Sequence, residues 1–300
     1  MLYPSVMDLK TPMIDIGRVG VFGWPFVSAP AAEVRAAARA LEEMGYGALW
    51  FPESRGREAF TTASLLLEAT DRIVVATGIA NLWARDPMAM ATGAMGLAES
   101  SGGRFVLGVG VSHAPSVAAR GHRYQRPLER MTSYLDAMEA VPGPIPGASA
   151  SPPVVLAALG PRMLGLAGDR TAGAHPYFVP VEHTSRARET LGDGVYLAPE
   201  QAVLIETDPA AARTTARAHM ERYLAADNYR RNLLRLGWTD VDVSGGGSDP
   251  LVDAIVGWGD REAAARRIRE HLDRGADHVS VQMLGDDWLV ELERLAGILL

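Results

Sequence analysis

The sequence contains no cysteine. That absence excludes disulfides, thiolate nucleophiles, iron–sulfur clusters and cysteine zinc sites. Lysine is almost as scarce: Lys10 is the only one, so 28 of the 29 basic residues are arginine. A Schiff-base mechanism would have to use that one residue near the N-terminus, and a P-loop has no lysine to build on. No G-x-S-x-G elbow occurs. The seven histidines, at 113, 122, 175, 183, 219, 271 and 278, include no pair three or four apart, so no histidine metal site is expected. No apolar run approaches the ~20 residues that span a bilayer, and residues 1–17 lack the basic start and apolar stretch of a signal peptide. A formal net charge of −7 provides no broad field for nucleic acid, so any phosphate must be held locally. The expectation is a cytoplasmic protein acting on a small molecule or a modified peptide, without nucleic acid or membrane partners, and with a homodimer left open.

What is present is a large apolar fraction, 48% against 22% charged, enough for a sizeable core and too apolar for disorder. Short apolar runs at 19–24, 48–51, 73–79, 105–111, 154–159, 174–179, 203–205 and 278–284 read as parallel strands buried on both faces. Helical patterns lie between them. Over 33–44 the apolar residues Val34, Ala37, Ala38, Leu41 and Met44 share one face. Over 260–274, Ala265, Ile268 and Leu272 do the same, with Asp260 as N-cap and Gly275 past the end. Asp86-Pro87, Asp208-Pro209 and Asp249-Pro250 each place a capping carboxylate before a first-turn proline. Eight such units in 300 residues favour a (β/α)8 TIM barrel over a doubly wound sheet, within one domain spanning 1–300. A helical insertion at 209–257 precedes the last βα unit, and 142–153, rich in Pro, Gly, Ser and Ala, reads as an exposed loop.

In such a barrel the chemistry sits at the C-terminal strand ends. These read Phe22-Gly23-Trp24, Trp50-Phe51-Pro52-Glu53-Ser54, Gly78-Ile79-Ala80-Asn81, Gly110-Val111-Ser112-His113, Leu159-Gly160-Pro161-Arg162 and His175-Pro176-Tyr177-Phe178. Apolar and aromatic bodies with few ionisable groups suit a flat ring better than a sugar phosphate. The run Arg104-Phe105-Val106-Leu107-Gly108-Val109-Gly110-Val111-Ser112-His113 resembles the fourth strand of the bacterial luciferase-like superfamily. Leu49-Trp50-Phe51-Pro52-Glu53, Thr77-Gly78-Ile79-Ala80-Asn81, Ala157-Ala158-Leu159-Gly160-Pro161-Arg162-Met163, Arg126-Pro127-Leu128-Glu129-Arg130-Met131 and Gly275-Ala276-Asp277-His278-Val279 are similar to that family in the same order. The resemblance covers 19–284 and is closest to the branch that uses coenzyme F420, a deazaflavin hydride carrier.

The resemblance implies a tricyclic ring across the strand ends, backed by a non-prolyl cis peptide at Gly78-Ile79; a plain strand ending in glycine is the alternative. Asn81 and Ser112 would join Gly78 and Ile79 against the cofactor. Its phosphate would lie over Gly160, Arg162 and Met163 at a helix N-terminus, whose free N–H groups suit an anion. His175 would floor the ring, or else belong to ordinary core, and the same choice applies to Tyr177. Relatives of this branch carry an Asp-His pair after the second strand, whereas this chain has Glu53-Ser54 there; Glu53 remains a hydrogen-bond acceptor and Ser54 is no proton shuttle. Where relatives place a glutamate after the fourth strand, this chain has His113, either an acid/base group or a loop histidine bonded to backbone. Trp24, Trp83 and Tyr124 could shape an apolar substrate pocket. The activity implied is hydride transfer between reduced F420 and an organic substrate with an electron-poor C=C or C=N bond. An FMN-dependent monooxygenase of the same superfamily, a catalytically silent cofactor-binding protein, and a lyase or isomerase on an unrelated barrel are the competing readings.

Overall fold

The computed structural model describes residues 7–141 and 151–300. β1 (Val19–Phe22) is followed by the short α1 (Pro25–Ser28) and by α2 (Ala31–Glu43). β2 (Ala48–Phe51) leads to α3 (Ala59–Ala69), and β3 (Val74–Thr77) to β4 (Ala80–Asn81) and α4 (Pro87–Ser100). Next come β5 (Phe105–Gly110), α5 (Ala114–Ala118), α6 (Pro127–Glu139), β6 (Val154–Leu156), α7 (Pro161–Arg170), β7 (Gly173–Ala174) and α8 (Val181–Leu191). β8 (Tyr196–Leu197) and β9 (Glu200–Ile205) precede α9 (Pro209–Leu224), α10 (Asp227–Leu236) and α11 (Asp249–Ile255). β10 (Val256–Gly259), α12 (Arg261–Asp273), β11 (Val279–Met283) and α13 (Trp288–Leu299) follow.

All strand pairs are parallel, in the order β10-β9-β11-β1-β2-β3-β5-β6-β7-β8, with β4 on β5. The sheet closes through β8 and β9, which are two halves of one barrel strand. On one side Ala198 N donates to Ala174 O and Glu200 N to Pro176 O, both at 2.9 Å; on the other Ser280 N reaches Pro199 O at 3.0 Å. With β4 continuing β3, this gives a (β/α)8 barrel, and the helical insertion stands before the last βα unit as expected.

Close strand approach explains the glycine in the middle of β5. A Cβ on Gly108 would lie 1.9 Å from Thr77 O, while Thr77 Oγ1 both donates to Gly108 O and accepts from Gly108 N at 2.8 Å. The barrel interior is filled rather than hollow. Trp50 is fully buried, donates Nε1 to His278 Nε2 at 3.1 Å, and stacks on His175 at 4.5 Å. Losing such a buried indole typically costs about 3–5 kcal/mol. Outside the barrel, α2 buries Val34, Ala37, Ala38 and Leu41 against the sheet, the face expected from their spacing. Asp86, Asp208 and Asp260 cap α4, α9 and α12 through Ala89, Ala211 and Ala263 N–H groups.

Several boundaries differ from expectation. The run 174–179 forms only the short β7, because the chain turns at Phe178 into a left-handed conformation, φ +57°. The run 203–205 is the end of the longer β9, and β8 and β10 carried no alternating or long apolar signal. The strand expected over 154–159 stops at Leu156. Ser248, not Asp249, caps α11, accepting from Leu251 N. Of 142–153, residues 151–153 are described and buried rather than exposed; the rest lies outside the described residues. No helix among the described residues is long and apolar enough to cross a membrane.

Candidate active site at the barrel mouth

The C-terminal strand ends converge on the Gly78–Ile79 peptide bond, which is cis. Gly78 N donates to Phe51 O at 2.7 Å and Ile79 O accepts from Glu53 N at 3.2 Å, so both sides of the turn are tied to the end of β2. Gly78 and Ile79 are half-buried, while all of β3 beneath them is buried. Glycine is required at 78, since a Cβ would meet His175 Nε2 and Phe22 Cε2 at 2.9 Å. His175 lies just below, its ring stacked on Trp50 and parallel to Phe22 at 6.1 Å. Its Nδ1 donates to Ala198 O at 2.7 Å, burial pushes its pKa down to about 4, and Nε2 has no partner. A neutral imidazole wedge therefore underlies the mouth.

Glu53 is not available to a ligand. Its carboxylate is buried, pairs with Arg85 through both oxygens, and accepts from Asn81 N at 2.7 Å and Ala59 N at 3.3 Å. Arg85 also pairs with Glu58. The expectation of a catalytic Glu53 fails for this reason: every strong donor around it comes from the protein, and the group fastens β4 and α3 to the end of β2. Asn81 is used similarly. It is buried, and its Oδ1 accepts from Trp83 N at 3.0 Å.

Ser112, two residues past β5, lies in the left-handed region, φ +59°, as does Phe178 beyond β7. Non-glycine residues held there are strained, and such strain collects at functional sites. The Ser112 turn sends His113 toward the insertion rather than to backbone. His113 Nδ1 lies 3.0 Å from Asn228 Oδ1, and its ring packs on Tyr229 at 5.2 Å. Burial lowers the His113 pKa, and the Asn228 hydrogen bond partly opposes that.

Tyr229 belongs to a buried aromatic group that α9 and α10 lay across one side of the mouth. Tyr223 contacts Tyr177, Phe178 and Tyr229 at 5.2, 4.9 and 5.4 Å. Tyr177 Oη sits 2.6 Å from Tyr223 Oη and donates to Gln282 Oε1 at 2.8 Å. Trp24 is covered by Arg222 at 4.9 Å, and its buried Nε1 faces the Tyr223 hydroxyl. Glu200, also buried here, accepts from Phe178 N at 3.2 Å, and its Oε1 is unpartnered. On the other side Trp83 donates Nε1 to Val111 O at 3.0 Å under Arg130, and half-buried Tyr124 feels the charge of Arg231 on α10.

At the third corner, α7 begins with Gly160 as N-cap. Met163 N already donates to Gly160 O at 3.1 Å, so the expected trio of donors reduces to the N–H groups of Gly160 and Arg162. Arg235 of α10 reaches over this end, its Nη2 3.1 Å from where a Cβ on Gly160 would stand. It has no carboxylate partner among the described residues, and burial together with Arg231 disfavours its charge. No cluster of ligands able to hold a metal ion occurs among the described residues. Sequence reasoning missed Arg85, Asn228, Tyr223, Tyr229, Glu200 and Arg235. Each acts through a contact distant in sequence, so no local spacing marks it.

Known proteins resemble the chain at two levels. A protein of Mycobacterium tuberculosis named "Putative coenzyme F420-dependent oxidoreductase" is 35% identical over 159 residues, covering 52% of this chain and 42% of that protein. The 5,10-methylenetetrahydromethanopterin reductase of Methanolobus tindarius is 25% identical over 305 residues, covering 86% of this chain and 92% of that protein. Among solved structures, an F420-dependent secondary alcohol dehydrogenase in complex with an F420-acetone adduct superposes with a TM-score of 0.74 at 14% identity, covering 94% of this chain and 97% of that one. A type II Baeyer-Villiger monooxygenase of Pseudomonas putida in complex with FMN superposes at 0.68 with 15% identity, covering 94% and 97%. These superpositions show the shared fold. The family described as luciferase-like monooxygenase matches residues 18–278, and the chain belongs to it.

Proposed function

We propose that the protein is an F420-dependent oxidoreductase that exchanges a hydride between the deazaflavin and an organic substrate carrying an electron-poor C=C or C=N bond, a small molecule or a modified peptide. The observation that carries this reading is the pairing of an apolar, half-open mouth at Gly78, Ile79 and Val111 with an anion-ready corner at α7. The residues fit such a cofactor. The N–H groups of Gly160 and Arg162 with Arg235 would take a phosphate. An anion there would also relieve the charge burden on Arg235. His175 supports the turn from below as a neutral group. When bound, F420 supplies a two-electron hydride carrier. The names of the relatives favour the deazaflavin; FMN is the second reading, supported by the FMN-bound fold neighbour.

The chain's own residues handle the proton. Hydride gain at a double bond leaves an anion to be protonated, and hydride loss requires a proton to leave. His113 Nε2 makes no hydrogen bond among the described residues, so it is free for this exchange. With Glu53 committed to Arg85, His113 is the acid/base group at the strand ends. His113→Ala is expected to lower kcat at least roughly tenfold and leave F420 affinity within a few-fold. Unchanged turnover would remove His113 from the mechanism. The cofactor is tested by titrating purified protein with F420 and with FMN and following fluorescence: saturable F420 binding and weak FMN binding are expected. A yellow protein retaining FMN through purification would reverse the assignment.

A further inference from the structure

The insertion touches the proton-handling ring through a single hydrogen bond, His113 Nδ1 to Asn228 Oδ1 at 3.0 Å. An amide oxygen accepts and never donates, so Nδ1 must carry the ring proton. A neutral imidazole has one N–H, which leaves Nε2 as a bare lone pair. Burial keeps the ring neutral by disfavouring its charged form, so the choice between the two neutral tautomers is what remains to be set. Asn228 sets it. Tyr229, the next residue, lies against the same ring at 5.2 Å and limits its rotation. Both side chains come from the first turn of α10, so tautomer and ring orientation arrive together when that helix is in place.

We infer that Asn228 is a positioning residue: from the insertion it holds His113 as the Nδ1–H tautomer and so presents Nε2 to the substrate as a proton acceptor. In the oxidising direction the substrate's N–H bond, or the C–H bond beside its activating group, would break with its proton going to Nε2, while the neighbouring carbon would give up its hydride to the bound carrier. In the reducing direction Nε2 would first take a proton from solvent and then pass it to the anion left by hydride addition. This role rests on the reading of His113 as the group that meets the substrate, but the tautomer itself can be observed without turnover.

The test is the ring ¹⁵N spectrum of histidine-labelled protein, with the His113 signals identified by their loss in His113→Gln. The parent should show a protonated Nδ1 and a bare Nε2. In Asn228→Ala the proton should move wholly or partly to Nε2, and in Asn228→Asp, where a carboxylate oxygen again accepts, it should stay on Nδ1. Turnover should follow the tautomer: kcat lower by at least roughly tenfold in Asn228→Ala with KM little changed, and recovered in Asn228→Asp. A parent ring already protonated on Nε2, or an alanine variant that keeps the parent tautomer, overturns the assignment. Normal tautomers with parent activity in His113→Ala would leave Asn228 holding the ring while removing that ring from catalysis, so the two failures are distinguishable.

Discussion

Replacing Arg85 by methionine is expected to destabilise the fold by about 3–5 kcal/mol, the usual cost of stranding one half of a buried ion pair. The Arg85 side chain is 9% exposed and that of Glu53 4%, and the arginine also lies over the Phe60 ring at 4.6 Å. Without the guanidinium, Glu53 keeps only the backbone donors of Asn81 and Ala59, too few for an ionised carboxylate away from water. Glu58, half exposed, keeps its bonds from Thr61 at the start of α3, so loss of its pair with Arg85 should contribute little. Urea unfolding is the measurement. The double variant Glu53→Met/Arg85→Met should be more stable than Arg85→Met alone, because it removes the stranded charge together with its partner. Equal unfolding midpoints for parent and Arg85→Met would show that the pair is hydrated and that Glu53 is free for other work.

Glu200→Gln should stabilise the protein, and increasingly so as the pH rises. Burial pushes the Glu200 pKa up from 4.5 to about 8. The folded chain therefore keeps this carboxyl protonated at neutral pH, while the unfolded chain ionises it. The group's favourable contribution is fully present below about pH 4.5 and is lost as the pH climbs through 8. Across that window the loss is on the order of 5 kcal/mol. Glutamine retains an acceptor for Phe178 N and does not titrate. Melting temperatures measured from pH 5 to 9 should show the gap between variant and parent widening up to about pH 8 and then levelling. A gap independent of pH would mean that Glu200 ionises in the folded protein, with water or a cation reaching its Oε1.

Most of the barrel was legible because its strands are buried on both faces and therefore appear as near-continuous apolar runs. β5 is the clearest case, buried at all six positions. β10 was not legible: its sequence is Val-Gly-Trp-Gly and it follows α11 without an intervening loop, so only its pairing with β9 makes it a strand. β8 is two residues long and exists to close the barrel, a requirement that no local pattern carries. The position of the cis bond followed from the family resemblance and not from local pattern, whereas the helix N-terminus at Gly160 was readable from its Gly-Pro pair. The partners were not. Glu53 looked free because Arg85 lies 32 residues away and is one of 28 arginines. His113 stayed between an acid/base group and a loop histidine bonded to backbone because its partner, Asn228, lies 115 residues further on in an insertion that reads as ordinary helix.

The segment between β9 and β10 packs largely on itself: Ala212, Ala216, Met220, Leu233, Leu251 and Val252 form a cluster that meets the barrel through Phe178, Ala202 and Leu204. Its two ends adjoin neighbouring paired strands, β9 ending at Ile205 and β10 beginning at Val256. Such a piece is a cassette. Its outward residues can be rewritten while Gly78 keeps its packing on His175 and Phe22, provided that Arg235 at Gly160 and Asn228 at His113 are retained. A chimaera joined at those two points is expected to keep the barrel fold, and to keep the contacts at Gly160 and His113 only where it also supplies Arg235 and Asn228.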